Sequence, residues 1–378
     1  MIGALWGGAV VAVVAVVAAV AGCWVAAVLH SVPAATGDPE VAMELDGLAG
    51  RRTRRLAVAV ADLDAVASVR SAFIRADVRT RFEVGSVTKA LTGMLLADAI
   101  DRRELSMDTT VGEVLPAVAG SEISTVSVRE LCTHTSGLPK LPMDVGMVTR
   151  AVLFAILGLD PYRGTSPGRV VAVAARQHLR RRGSFVYSNL GAALLGQLIA
   201  ERAGRDFASL LGERVLSPLA MSFAAVATPH DKASHGWSAT GLPRQAWVLG
   251  GYAPAGGVIA TIEDMAKLAA ALLDRSAPGS SSMQPLDGLG TATATRRQGM
   301  FWIVDPTPDG DVVVWHNGAT GGYSAFLALF PGARRAVAAL ANTSMPSELQ
   351  QVALALARRQ GSEHAGRPGR IGDLTSEG

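Results

Sequence analysis

The stretch "DVVVWHNGATGGYSAFLALFPGARRAVAALANTS", residues 311–344, holds three short apolar runs divided by "ATGGY" and "GAR". "QGMFWIVDP" (298–306) and the turn "TPDG" add a fourth run just upstream. Short β-branched and aromatic runs bounded by Gly, Pro and Asp predict an antiparallel meander. Near the other end of the chain, "RRLAVAVAD" (54–62) and "SAFIRAD" (71–77) read as a pair of strands. Between these blocks, from about 100 to 275, the pattern is mainly helical. "LGAALLGQLIAERAG" is closed by Gly204, and "ATIEDMAKLAAALLD" is opened by Thr261 with Asp264 three residues on. "SELQQVALALARRQ" supplies a closing helix after the meander. The expected fold is therefore α+β. An antiparallel sheet fed from both ends of the chain is flanked by helices, with a mainly helical lobe inserted.

The chain has 378 residues, of which 49% are hydrophobic and 18% charged, enough to bury one large core or two lobes. From Ile2 to Leu29 there is no charged residue. Such a run exceeds the ~20 apolar residues that span a bilayer as a helix. Residues 1–30 are accordingly expected to be a transmembrane anchor or signal segment, and 31–50 a linker. Residues 51–360 form the globular domain and 361–378 a disordered tail. No Lys or Arg precedes the apolar run and the first arginines follow it by about twenty residues, which by itself favours an internal C-terminus. Export is preferred on the chemistry below. The net charge is +3, and "RRTRR" (51–55) reads as a solvated edge, not a nucleic-acid site. Cys23 and Cys132 are the only cysteines, so no disulfide is expected in the globular part.

Three polar clusters carry candidate chemistry. In "FEVGSVTKALTGML" (82–95), Ser86 precedes by three residues Lys89, one of only four lysines. A helix starting there sets the amine beside the hydroxyl, and its N-terminal field disfavours an ammonium. In "FVYSNLG" (185–191), Tyr187 and Asn189 stand just before a strong helix. A tyrosine whose pKa is depressed by a lysine can act as a base, and an asparagine amide can hold a carbonyl. In "WHNGATGGYS" (315–324), His316, Gly318 and Ala319 lie on an edge strand able to offer an N–H to an oxyanion. Taken singly, each has an ordinary structural reading: a Ser helix cap, a turn with an Asn cap, and a hairpin.

In this order the three clusters resemble the boxes of the penicillin-recognising serine hydrolases. The similarity is to the class C β-lactamase and D-alanyl-D-alanine carboxypeptidase branch with its esterase relatives. It covers roughly residues 50–345, and "LCTHTSGLP" (131–139), "VLSPLAM" (215–221) and "APAGGVIATIEDMAKL" (253–268) add more specific stretches. The resemblance implies that Ser86 is the acylated nucleophile, with Lys89 its proton acceptor or electrostatic partner. Tyr187 would be the base that protonates the leaving group, and Asn189 would orient the substrate. The N–H groups of Ser86 and Ala319 would form the oxyanion hole. No metal or cofactor is implied, and the partner is a small-molecule or peptide acyl substrate. His316 departs from the Lys-Thr-Gly usual in efficient class C β-lactamases. That favours a peptidase- or esterase-like member over a true β-lactamase. A non-turnover penicillin sensor is the remaining alternative. A triad role for His134, and a catalytic one for Cys132, are disfavoured.

Overall fold

The computed structural model describes residues 34–48, 54–63, 67–141, 145–231, 235–286, 295–307 and 310–358. Its frame is a sheet of eight strands in the order β1-β3-β2-β13-β12-β11-β10-β9. These are β1 (Thr36–Gly37), β2 (Leu56–Asp62), β3 (Ser68–Ile74), β9 (Arg297–Gln298), β10 (Ile303–Pro306), β11 (Val312–Ala319), β12 (Ser324–Phe330) and β13 (Arg335–Ala341). Every neighbouring pair is antiparallel. The N-terminal strand pair joins the C-terminal meander through β2 and β13, which closes the sheet from both ends of the chain.

Strand periodicity explains the layers. In β2, Ala57 and Ala59 enter one core, while Leu56, Val58 and Val60 enter another on the opposite face. Helices cover both faces, so "LAVAVAD" is buried at every position and reads as apolar throughout instead of alternating. One face carries α1 (Pro39–Leu48) and α7 (Pro346–Arg358), through Val41, Leu45, Leu349 and Val352. The other carries α2 (Val87–Asp101) and α6 (Ile262–Leu273), and α5 (Asn189–Ala203) joins the same core from the helical lobe behind them. Each fully buried Leu, Ile or Phe in these cores contributes about 1.5–3 kcal/mol. α3 (Val145–Leu157) and α4 (Pro167–Ala174) complete the larger helices. Helix α2 is buried on all sides from Val87 to Ala97. It packs so closely that a Cβ on Gly93 would stand 2.1 Å from the Met300 carbonyl oxygen.

Three expectations change. Residues 31–50 are not all linker: Thr36–Gly37 joins the sheet, and α1 packs Val41 and Leu45 beneath it. Asp38 starts that helix by accepting from the N–H groups of Glu40 and Val41, both at 3.1 Å. The run 298–306 is two strands, because Phe301 turns the chain in the left-handed region (φ 66°) between β9 and β10. The mainly helical lobe also contains short strands, one sheet of which is completed by β4 just before it. β4 (Phe82–Glu83), β8 (Val258–Ala260) and β5 (Ala225–Val226) form a small sheet, and β6 (Gly236–Trp237) pairs with β7 (Pro243–Arg244). Among the described residues no helix is long and apolar enough to cross a membrane. The expected membrane segment at residues 1–30 and the tail at 361–378 lie outside them.

Candidate active site

Between β4 and α2 the chain bends through Gly85, at φ +50°, where a Cβ would stand 2.8 Å from the Ala319 nitrogen. Only glycine combines that dihedral with that approach. The bend delivers Ser86 to the start of α2 in helical conformation, with no capping bond from its side chain. The expected Ser N-cap is therefore absent, and the hydroxyl faces other groups. Lys89, one turn on, is completely buried. Its Nζ donates to Asn189 Oδ1 at 2.7 Å and to the Ala255 carbonyl at 2.6 Å, and lies 3.0 Å from Ser86 Oγ. No carboxylate pairs with it among the described residues. Burial, and secondarily the charge of Lys140, hold its ammonium well below the usual lysine range. A neutral amine has two N–H bonds and one lone pair. Whenever the amine is neutral, the two acceptors take its N–H bonds and the lone pair is left for the Ser86 hydroxyl.

Tyr187 reaches the same oxygen from the opposite lobe, donating to Ser86 Oγ at 2.8 Å. Its position follows from the next residue. Ser188 caps α5 by accepting from Gly191 N at 2.8 Å, and its hydroxyl donates to the Pro139 carbonyl at 2.7 Å. The phenol does not show the expected depressed pKa. Burial pushes it upward, and the bond to Ser86 opposes that only in part. Tyr187 is thus a hydrogen-bond donor to Ser86 in the resting site. Asn189 has its Oδ1 occupied by Lys89, which leaves Nδ2 as a donor for a substrate carbonyl.

The third cluster sits on β11. A Cβ on Gly318 would fall 2.0 Å from the Val84 carbonyl and 3.0 Å from the Ser86 nitrogen. The strand therefore lies directly against the nucleophile's backbone, and Ala319 lines the same cleft as Ser86 and Asn189. His316 is buried, with Nδ1 2.6 Å from the Asn317 carbonyl. A carbonyl only accepts, so Nδ1 carries the proton. Burial, then Lys89, lowers its pKa to about 3, so the imidazole is neutral.

A serine with two proton-handling partners, beside a strand backbone, is machinery for acyl transfer. The model of the family described as Beta-lactamase matches residues 41–361. The chain belongs to the Beta-lactamase family. Within that family it is 24% identical over 308 residues to a β-lactamase of Pseudomonas fluorescens, covering 71% of this chain and 81% of that one. It is 26% identical over 299 residues to penicillin-binding protein 4 of Amycolatopsis lactamdurans, covering 69% and 72%. It shares its fold with the crystal structure of a D-alanine carboxypeptidase from Burkholderia cenocepacia. The TM-score there is 0.69 at 20% identity, over 84% of this chain and 97% of the other.

Two groups disfavoured as catalytic from sequence, His134 and Cys132, are buried in this family member. His134 is no triad base: its Nδ1 accepts from Ser188 N at 3.2 Å, and its ring packs on Tyr187 with centroids 4.6 Å apart. It steadies the Tyr187 cluster. Cys132 is buried and its thiol is pushed up to about 12, leaving it inert. The cleft wall is aromatic, built from Tyr162, Trp247 and Tyr252, with Tyr162 lying 5.2 Å from each of the others. The nearest signal in sequence was the scarcity of Tyr and Trp.

Beneath that wall lies Glu83, three residues before the serine. Its Oε1 accepts from Trp247 N at 2.7 Å, while Oε2 and the Thr320 hydroxyl are both buried without a hydrogen-bond partner. Thr320 is near enough to ease the charge but closes no bond. Burial raises the Glu83 carboxyl from 4.5 to about 7. A raised folded-state pKa means the stabilisation is complete below pH 4.5, declines as pH rises, and is gone above about 7. Wild type is expected to lose about 3 kcal/mol across that window through this group. Glu83→Gln should flatten the loss, measured by urea unfolding at pH 5 and 8. An equal decline in both proteins would refute the assignment.

Proposed function

We propose that the chain is an exported serine hydrolase, anchored at a membrane by Ile2–Leu29, that opens an amide or ester by acylating Ser86. The observation that carries this reading is the buried Lys89 Nζ, bonded to Asn189 Oδ1 and the Ala255 carbonyl and 3.0 Å from Ser86 Oγ. In acylation, Ser86 Oγ bonds to the substrate carbonyl carbon as its proton passes to Lys89. The resulting oxyanion is met by the N–H groups of Ser86 and Ala319. Tyr187 gives its phenolic proton to the departing amine or alkoxide and regains one from Lys89. Water then repeats the sequence in reverse on the ester, releasing the acid and restoring Ser86.

The substrate class is a D-amino-acid peptide or a small ester. A neutral His316 supplies no cation for the carboxylate that β-lactams carry, which ranks β-lactam hydrolysis second. The relatives named β-lactamase and penicillin-binding protein keep it in view. Export is supported by where such peptides occur, and a reporter fusion active only in the cytoplasm would overturn it. Intact-mass analysis after a fluorophosphonate, and separately after a fluorescent penicillin, tests the mechanism. Adducts are expected on the Ser86 peptide. Labelling by the fluorophosphonate alone selects the esterase reading, and a penicillin adduct that never clears selects a sensor. No adduct with either probe refutes the mechanism.

A further inference from the structure

Helix α3 presents an apolar face to solvent. Val148, Val152, Leu153, Ile156 and Leu157 are 44%, 50%, 40%, 73% and 62% exposed, and Leu159 just beyond is 42% exposed. Spacings of four, one, three and one place the five helical residues on a single side. The inward side is held by Arg150, donating to Thr165 Oγ1 at 3.0 Å, and by Phe154, edge-on to Trp247 at 5.7 Å. Arg150 is the only charged residue of the helix, so the outward face carries no charge. Contiguous apolar surface of this kind marks an interaction site on an otherwise soluble domain.

Two further features identify the occupant. The first is the position of Thr36, seven residues after the uncharged run, relative to α3. Thr36 pairs with Phe73, and Phe73 with Ala57, so the chain enters the sheet beside the start of β2. Arg55 N donates to Asn342 Oδ1, and Trp237 N donates to the carbonyls of Asn342 and Gly322. Gly321 in turn lies against the Phe154 ring of α3. Thr36, Phe73, Ala57, Leu340, Ala325 and Gly318 share one row of the sheet, so Thr36 and the β11–β12 turn that meets α3 lie at the same end of its strands. The second feature is charge. From Val145 to Ala200 there are seven arginines and one acidic residue, Asp160. Asp160 is buried, whereas Arg163 and Arg169 are exposed beside the helix.

We propose that α3 is an interfacial helix lying on an anionic phospholipid bilayer, its apolar face at the headgroup–acyl boundary and the arginines at headgroup level. An uncharged apolar face flanked by arginine is the pattern of such helices. The proposal rests on the anchored reading of Ile2–Leu29, and it fixes which side of the domain meets the lipid. Through Phe154 and Trp247 the helix also backs the aromatic wall of the cleft.

The test uses the full chain carrying Cys23→Ser, with an environment-sensitive fluorophore on Ile156→Cys or Val152→Cys. Val69→Cys, on the far end of β3 and 52% exposed, is the control. Each is placed in vesicles of phosphatidylglycerol and phosphatidylethanolamine containing brominated lipid. At both helix positions, lipid quenching at least twofold above the control is expected, with protection from aqueous iodide. Placing aspartate at Leu157 should abolish quenching of the Val152→Cys label. If the chain sediments with vesicles while the helix labels quench like the control, the proposal is overturned and the anchor stands. If the chain stays in the supernatant, both fall. Shielding from iodide without lipid quenching means a second copy covers the face, and also overturns it. Two label sites guard against one variant that fails to fold.

Discussion

Replacing Ser86 by alanine is expected to lower kcat/KM by about 10⁴-fold or more, since the covalent route is lost outright. Lys89→Met should cost nearly as much, and the double variant little more than either, because the two groups act as one unit. Lys89→Arg is the sharper test. Arginine keeps a positive charge but stays protonated, so it has no lone pair for the serine proton. If Lys89 acts as a base, Lys89→Arg should be as inactive as Lys89→Met. If it serves only as a charge, arginine should restore much of the activity. The pH dependence carries the same sign. Burial lowers the pKa of the amine well below the ordinary lysine range, so kcat/KM should fall on acidification as Lys89 takes a proton. Steady-state kinetics on any ester turned over by wild type reads all three outcomes.

Gly318→Val is the second large effect, and it acts through backbone alone. The first added carbon would sit 2.0 Å from the Val84 carbonyl and 3.0 Å from the Ser86 nitrogen. Neither atom belongs to a flexible side chain, so β11 must move away from the nucleophile. Moving a strand that supplies one oxyanion donor is worth about 10²–10³ in kcat. Valine suits a strand, so circular dichroism should show an intact sheet while turnover and labelling of Ser86 by fluorophosphonate both collapse. Unchanged labelling kinetics would show that β11 does not form part of the oxyanion site.

Much of the fold was legible because it depends on short-range pattern. The apolar runs of β11 to β13, their Gly and Pro turns, and the paired runs near residues 54–77 anticipate strands of one sheet. Thr261 with Asp264 anticipated the capping box that opens α6. The segment 31–50 was misread because α1 is short and mixed in composition, and it is helical mainly through the core contacts of Val41 and Leu45. The Ser86–Lys89 spacing, Tyr187 with Asn189, and His316 were visible as types at positions. Their protonation states were not.

The sequence by itself determined most strands and the lobe between them, which follow from periodicity, while the serine, lysine, tyrosine and histidine stood out through their resemblance to the boxes of a known family. Only the tertiary structure decided their surroundings. The pKa of the Lys89 amine is lowered by total burial on α2, where it meets the Ala255 carbonyl, 166 residues away. His316 becomes neutral by the same loss of solvent, and Glu83 acquires its raised pKa beneath Trp247. Charge depends on how much water and how many partners surround a group, and those come from segments far apart in the chain.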